Sequence, residues 1–174
     1  MLNENILFKE CLFHTQYIGN TEVIDKHIDH ILFLDKGRKG SNEGGYQSHD
    51  ITFGFKELLT FAQKCAKELD PSLIFANFWL NVNKGNNYNS EHIHELNGAS
   101  AVYYHKVCCD KCPIYFKHLC SQVVLGTPKF YPKNGDLIFF PSYLPHGVQG
   151  CDNPEHERIS FALNFKINKH SLGL

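Results

Sequence analysis

The first part of the chain carries apolar residues at helical spacing. In residues 20–36 they fall at positions i, i+4, i+7 and i+8, as in a helix that packs on one side, and they are Ile24, Ile28, Ile31 and Leu32. Asn20 or Thr21 can cap this helix, and Gly37 can end it. A second stripe occupies residues 55–69 and stops at Asp70-Pro71. Two helices are therefore expected before any other element.

Short alternating segments, rich in aromatic and β-branched residues, follow Pro71. Strands are predicted at residues 73–83, 99–107, 114–117, 122–125, 129–131, 136–140, 147–149 and 158–167. Two helices followed by these strands predict an α+β fold whose β part is a sandwich or barrel, with a jelly roll as the natural candidate. The length of 174 residues fits one domain, 1–174, with a helical part at 1–70 and a jelly-roll core at 71–174.

Two of these strands have one apolar and one polar face. In residues 158–167 the polar face carries Arg158, Ser160, Ala162 and Asn164. In residues 73–83 the face opposite the aliphatic one carries Phe75, Asn77, Trp79, Asn81 and Asn83. An arginine on an inner face is costly unless an anion meets it, and its planar fork fits a carboxylate best. The two faces together predict a pocket for a small acid.

Composition narrows the class of protein. Lys and Arg total 17 and Asp and Glu total 18, so a net charge of -1 disfavours nucleic acid and anionic lipid as partners. The seven cysteines are an odd number, and the first residues lack the pattern of a signal peptide. We expect reduced thiols and a cytoplasmic protein. No apolar run approaches the ~20 residues of a membrane-spanning helix.

The eleven histidines raise the question of a metal site. His92 and His94 are two residues apart, so in an extended segment both rings project to one face and can converge on one ion. His146 is the best candidate for a third ligand, because it follows the predicted strand 136–140 and a proline-bounded turn. The alternative is three unrelated polar residues on loops. The strand that opens with Arg158, twelve residues beyond His146, favours a site.

Two further motifs have a simpler explanation. Residues 37–45 are rich in glycine but lack the GxxxxGK[ST] spacing of a phosphate loop, which leaves a substrate-covering loop or a plain surface connection. Cys109 and Cys112, with His118 and Cys120, could form a small zinc knuckle. The flanks lack a second CxxC, so reduced thiols without a metal are the preferred interpretation.

Three segments carry a resemblance to a known family: SNEGGYQSHD (41–50), FWLNVNKGNNYNSEHIHELNGASAVYYHKV (78–107) and GDLIFFPSYLPHGVQGCDNPEHERISFALNF (135–165). They resemble the Fe(II)- and 2-oxoglutarate-dependent oxygenases with a double-stranded β-helix, whose pattern is HxD/E, a distal His and then an Arg. The match is with small bacterial and bacteriophage members, related in fold to prolyl hydroxylases. It covers most of the chain.

This resemblance implies a dioxygenase that uses Fe(II), O2 and 2-oxoglutarate, and that hydroxylates a substrate while 2-oxoglutarate is decarboxylated to succinate. It implies His92, His94 and His146 as iron ligands and Arg158 as the partner of the distal carboxylate of 2-oxoglutarate. Further co-substrate contacts implied in the same way are Ser160, Tyr104, Asn81 and Asn83. The prime substrate and the oligomeric state are left undefined.

One position departs from the family pattern, because His94 stands where relatives carry a carboxylate. Glu95 could substitute, or a coordination position could stay open, but in a regular strand Glu95 faces away from His92, which favours His94. Zinc also suits imidazole ligands. Two other functions stay open: a three-His, cupin-type metalloenzyme that does not use 2-oxoglutarate, and a non-enzymatic β-sandwich binding module.

Overall fold

The computed structural model describes residues 10–94, 97–108, 111–117 and 127–168. In this part of the chain the elements are β1 (Phe13–Gln16), α1 (Thr21–Leu34), β2 (Asn42–Glu43), β3 (Tyr46–Gln47), α2 (Lys56–Leu69), β4 (Leu73–Lys84), β5 (Tyr88–His92), β6 (Gly98–Val107), β7 (Ile114–Phe116), β8 (Lys129–Phe130), β9 (Asp136–Pro141), β10 (His146–Val148) and β11 (Glu157–Ile167). Neither helix is long and apolar enough to cross a membrane, within the residues described.

The strands form two antiparallel sheets. The larger sheet has the order β1-β9-β6-β11-β4-β3, and the smaller sheet has the order β2-β5-β10-β7-β8. β11 lies inside the larger sheet, paired with β4 on one side and with β6 on the other. Side chains at matching positions of these strands therefore form rows across the sheet.

Hydrophobic burial joins the helices to the larger sheet. The buried helical residues are Ile24, Ile28 and Ile31 of α1 and Leu58, Ala62 and Ala66 of α2. They share one cluster with Phe78, Leu80 and Phe161 of the sheet. Full burial of one large apolar side chain contributes about 1.5–3 kcal/mol, so this cluster fixes the helices on that face. A second cluster, which includes Tyr104, Ile114, Phe116 and Phe140, joins the two sheets.

The side chain of Gln63 covers part of an exposed sheet edge. Its Nε2 donates to the carbonyl oxygen of Leu73 at 3.0 Å, and its Oε1 accepts from the backbone N–H of Phe75 at 2.6 Å. These are the backbone groups of β4 that lie beyond the short strand β3. The amide of Gln63 thus takes the place of a neighbouring strand, which leaves less of the edge open to another chain.

The structure confirms both predicted helices and seven of the predicted strands, with small shifts at their ends. The predicted strand 122–125 lies outside the described residues. The expectation that two helices precede every other element is wrong, and residues 1–70 are not a purely helical part. β1 precedes α1 in the chain and pairs with β9, while β2 and β3 lie between the two helices. These three strands are short, and each is stabilised by pairing with a strand far away in the sequence. They are therefore too short to show a periodic pattern of apolar residues.

The alternation predicted for residues 73–83 is wrong at its start. Asn164 of β11 is opposite Asn77, but Phe165 is opposite Phe75, so Ala76 is the extra residue of a β-bulge. The bulge turns Phe75 toward the core, where its ring lies 5.9 Å from that of Phe78. Beyond the bulge the prediction holds, since Phe78 and Leu80 are in the core while Trp79 and Asn81 line a cavity.

Candidate metal and co-substrate site

Three histidines of the smaller sheet come together at the mouth of a cavity. His92 ends β5 and is the direct partner of His146, the first residue of β10. His94 follows β5, and its backbone N–H donates to the carbonyl oxygen of Ser142 at 2.9 Å. One ligand atom from each ring lies within 4.8 Å of the others, which is a grouping able to hold a metal ion. The predicted triad is thus assembled in space.

Backbone carbonyl groups orient two of these rings. Nδ1 of His92 is 2.7 Å from the carbonyl oxygen of Ser90, and Nδ1 of His146 is 2.9 Å from that of Leu144. Because a carbonyl oxygen only accepts hydrogen bonds, Nδ1 of each ring carries the proton and Nε2 is left as the ligand atom. Such outer hydrogen bonds are usual for metal-binding histidines.

The same environment keeps the rings neutral. Burial, together with the neighbouring ring of His92, lowers the pKa of His94 to about 4 and the pKa of His146 to about 3. Burial also lowers the pKa of His92. A neutral imidazole is the form that binds a metal, so near neutral pH protons do not compete for the site.

The cavity behind the triad contains about 460 Å³ of empty space, counted together with open solvent. Its wall in the larger sheet is built from rows of directly paired residues of β4, β11 and β6. One row is Asn81, Ser160 and Tyr104, and the next is Trp79, Ala162 and Val102. The predicted residues Asn81, Ser160 and Tyr104 therefore meet on one wall.

Arg158 lies one row beyond this wall, between Asn83 and Val107. It is 4% exposed, and its NH1 donates to the carbonyl oxygen of Cys112 at 3.3 Å. Burial raises the pKa of Tyr104, and the positive charge of Arg158 opposes that rise. The hydroxyl of Tyr104 is buried and has no hydrogen-bond partner among the described residues. A hydroxyl donor near a guanidinium is a suitable environment for a carboxylate.

Asn83, like Arg158, is not among the residues that line the cavity. Its Oδ1 accepts from Nδ2 of Asn42 at 3.2 Å, and its Nδ2 donates to Oδ1 of Asn89 at 3.4 Å. Asn42 also donates to the carbonyl oxygen of Tyr46. Asn83 thus holds the turn between β2 and β3 through Asn42, and Asn81 is the asparagine of this strand that faces the cavity.

The glycine-rich residues 37–45 contribute to the site itself. Ser41 lines the cavity, and Gly40, Ser41 and Gln47 line its open mouth together with Trp79. The carbon of the Arg38 guanidinium lies 5.3 Å from the centre of the Trp79 ring, which is a cation–π contact. Sequence reasoning missed Trp79 and Ser41 as cavity residues. The alternation in β4 placed Trp79 on the face of Asn81, and that was the available signal.

Several predicted groups lie outside the described residues. These are Glu95, the alternative ligand to His94, and Cys109, His118 and Cys120 of the possible zinc knuckle. Among the residues that the structure does describe, the histidine triad is the only group able to hold a metal.

Comparisons with known proteins agree on the class. The sequence matches the profile of the family described as "Putative 2OG-Fe(II) oxygenase" over residues 77–164, just over half of the chain. The matched segment contains His92, His94, His146 and Arg158. The chain therefore belongs to this family. It is an oxidoreductase that depends on Fe(II) and 2-oxoglutarate. Curated proteins give no match to the sequence.

Solved structures share the fold at low sequence identity. A prolyl-4-hydroxylase from Pseudomonas putida superposes with a TM-score of 0.67 and 14% identity, over 90% of this chain and 92% of that one. The viral collagen prolyl hydroxylase of Paramecium Bursaria Chlorella virus-1, in complex with 2-oxoglutarate, gives 0.62 and 16%, over 90% and 96%. HygX from Streptomyces hygroscopicus, with nickel and 2-oxoglutarate bound, gives 0.61 and 8%, over 90% and 83%.

Proposed function

We propose that His92, His94 and His146 hold the iron(II) of this oxygenase. The observation that carries the assignment is the convergence of their three ligand atoms, within 4.8 Å of one another, at the mouth of a cavity. The donor set suits the metal, because imidazole is a common ligand of iron. Three neutral imidazoles leave the charge of Fe(II) uncompensated by the protein. An anionic co-substrate would then supply the negative charge that a carboxylate ligand supplies in relatives.

In this proposal, 2-oxoglutarate occupies the cavity behind the triad, with its distal carboxylate toward Arg158. The fit rests on the buried guanidinium, on the hydroxyl of Tyr104, which has no hydrogen-bond partner among the described residues, and on Ser160, the direct neighbour of Tyr104 in the sheet. Arg158 neutralises the carboxylate and can bind it with two parallel hydrogen bonds. Tyr104 donates a further hydrogen bond, since burial keeps its phenol protonated. Asn81 lies on the same wall and can contact the middle part of the 2-oxoglutarate molecule.

When bound, iron and 2-oxoglutarate supply the oxidising chemistry, in which 2-oxoglutarate becomes succinate and CO2 and one oxygen atom from O2 enters a C–H bond of the prime substrate. The protein contributes position and exclusion of water. The carbonyl groups of Ser90 and Leu144 hold the rings of His92 and His146, and the apolar residues Val102, Ile114 and Phe140 line the interior of the cavity.

The two antiparallel sheets, the smaller of which carries the triad, fit a double-stranded β-helix of the jelly-roll type. We regard residues 1–174 as one domain, because the helices and the larger sheet share a hydrophobic cluster. The free thiols of Cys11 and Cys65 accord with a cytoplasmic protein.

An anaerobic titration tests the assignment. Fe(II) is added to the metal-free protein with and without 2-oxoglutarate, and the visible metal-to-ligand charge-transfer band is recorded. We expect a saturable band in the wild type and none in a variant that lacks all three histidines. A folded, iron-loaded wild type without the band contradicts the assignment and favours a three-His metalloenzyme that does not use 2-oxoglutarate.

A further inference from the structure

A second, polar groove also reaches His94. It is lined by Asp50, Ala76, Asn77, His94, Asn97, Ser142, Asn164, Phe165 and Lys166, and its volume is about 840 Å³ including open solvent. His94 is the one lining residue that it shares with the inner cavity. The open mouth at Gly40 and Ser41, by contrast, shares Ser41, Trp79, His92 and His94 with that cavity. The polar groove is therefore a separate approach to the metal site.

One further row of the larger sheet forms the floor of this groove. Asn164 of β11 is directly paired with Asn77 of β4 and with Ser100 of β6. Asn164 is on the same face of β11 as Arg158, Ser160 and Ala162. On the polar face of β11, Arg158 and Ser160 therefore lie at one end, Asn164 lies at the other, and Ala162 of the cavity wall lies between them. We call Asn77, Asn164 and Ser100 the amide row.

Hydrogen bonds fix the direction of the two amides. Nδ2 of Asn77 donates to Oδ2 of Asp50 at 2.9 Å, and because a carboxylate only accepts, the oxygen of Asn77 must turn toward Asn164. Nδ2 of Asn164 donates to that oxygen at 3.1 Å. Oδ1 of Asn164 in turn accepts from the hydroxyl of Ser100 at 3.1 Å.

These hydrogen bonds determine which polar groups of the two asparagines are available to a ligand. A primary amide has two N–H donors, and each of the two asparagines uses one of them: Asn77 donates to Asp50, and Asn164 donates to Asn77. Among the described residues no second acceptor is found for either amide, so one N–H of Asn77 and one of Asn164 are left to donate. The carboxylate of Asp50 is also engaged by Arg38, whose NH2 lies 3.3 Å from Oδ1. The amide row therefore offers two N–H donors to a ligand.

We infer that this groove binds the prime substrate, and that Asn77 and Asn164 recognise a carbonyl oxygen of it beside His94. This inference rests on the proposed function, because the reacting C–H must lie near a metal held by the triad. The carbonyl can belong to a neutral amide or to a carboxylate. Lys166, at the edge of the same groove, is compatible with either.

The test uses small carbonyl probes on the protein loaded with Zn(II) and saturated with 2-oxoglutarate. N-methylacetamide represents the amide and acetate the carboxylate, and 2-propanol is a probe of similar size without a carbonyl. Binding is followed by NMR through the side-chain amide signals of Asn77 and Asn164, which are assigned by their loss in Asn77→Ala and Asn164→Ala. Both residues are partly exposed, so these variants should fold.

We expect saturable shifts of both amide signals with at least one carbonyl probe and none with 2-propanol. Asn164→Ala should raise the Kd of that probe at least fivefold. Asn97→Ala removes an exposed asparagine that lines the groove outside the row, and should change the Kd less than twofold. Saturable binding of N-methylacetamide identifies the carbonyl as that of an amide, and saturable binding of acetate identifies it as that of a carboxylate.

Two failures can be told apart. Shifts that do not saturate, that are equal with 2-propanol, or that give an unchanged Kd in Asn164→Ala overturn the carbonyl subsite. Absence of the charge-transfer band in the iron-loaded wild type overturns the proposed function, and with it the assignment of this groove to a substrate. A band together with absent carbonyl binding contradicts the subsite alone.

Discussion

His92 and His146 are directly paired residues of neighbouring antiparallel strands, and the centres of their rings lie 4.4 Å apart. Backbone pairing therefore positions two of the three proposed ligands before any metal arrives. His94 lies just beyond the end of β5, where its backbone N–H donates to the carbonyl oxygen of Ser142. We expect the three positions to tolerate substitution differently.

Replacing His146 should abolish stoichiometric iron binding, whereas His94→Asp should keep it. His146→Ala removes a pre-positioned ligand, and we expect Fe(II) affinity to fall at least about 100-fold, the upper end of what losing only a supporting hydrogen bond costs. His94→Asp creates two histidines and one carboxylate, the usual facial triad. Metal analysis after equilibrium dialysis measures both. His30→Ala on the exposed face of α1 is the control, and wild-type iron content in His146→Ala would refute the assignment.

Arg158 should govern affinity for 2-oxoglutarate without affecting the metal. Arg158→Lys keeps a positive charge but loses the planar fork, and we expect the Kd of 2-oxoglutarate to rise about 10- to 100-fold, or about 1.4–2.8 kcal/mol. Arg158→Ala should cost more, since a buried charge pair loses one partner. The charge-transfer titration supplies the Kd. Lys129→Ala, on the smaller sheet, controls for a general loss of positive charge, and unchanged co-substrate affinity in Arg158→Ala would argue against the role.

The metal-free protein should lose stability as the pH falls below about 6.5, the ordinary pKa of the three histidines. Their pKa values are lower in the folded state, to about 4 for His94 and about 3 for His146. Above pH 6.5 both states are neutral and these groups contribute nothing. Below pH 6.5 the histidines become protonated in the unfolded state while they stay neutral in the folded state. The free energy of unfolding therefore falls until about pH 3.

Urea unfolding at several pH values between 5.5 and 7 measures this effect, in a window more than one pH unit above the ordinary pKa of carboxyl groups, ~4. A variant with His92, His94 and His146 replaced by Gln is the matched comparison. It should show a smaller loss of stability across the window. Equal pH slopes in the two proteins would mean that the buried rings are not the cause.

Gln63 should stabilise the fold through the edge of β4. Gln63→Ala removes the bonds to Leu73 and Phe75 and leaves both backbone groups dependent on water. We expect the free energy of unfolding to fall by about 1–2 kcal/mol, with no change in iron binding. Gln149→Ala, which removes an exposed glutamine, should change it by less than about 0.5 kcal/mol. Denaturant midpoints at constant m-value decide between these outcomes.

Local patterns in the sequence were enough to define most elements and the chemistry of the site. The stripe from Ile24 to Leu32 predicted α1, because 3.6-residue periodicity is complete within a short window. The alternation beyond Arg158 predicted a strand with a guanidinium on its polar face. The family resemblance named His92, His94, His146 and Arg158 together, and the match over residues 77–164 confirms the family.

Tertiary structure decided the features that depend on distant partners. β1 is defined by its pairing with β9, and the bulge at Ala76 by the register of β11, so neither has a local signal. Asn81 and Asn83 are equivalent by periodicity, yet Asn81 lines the cavity while Asn83 does not and is bound by Asn42 and Asn89. The amide row likewise exists because three strands align Asn77, Asn164 and Ser100. Sequence determines which face a side chain takes, and strand pairing determines which side chains meet there.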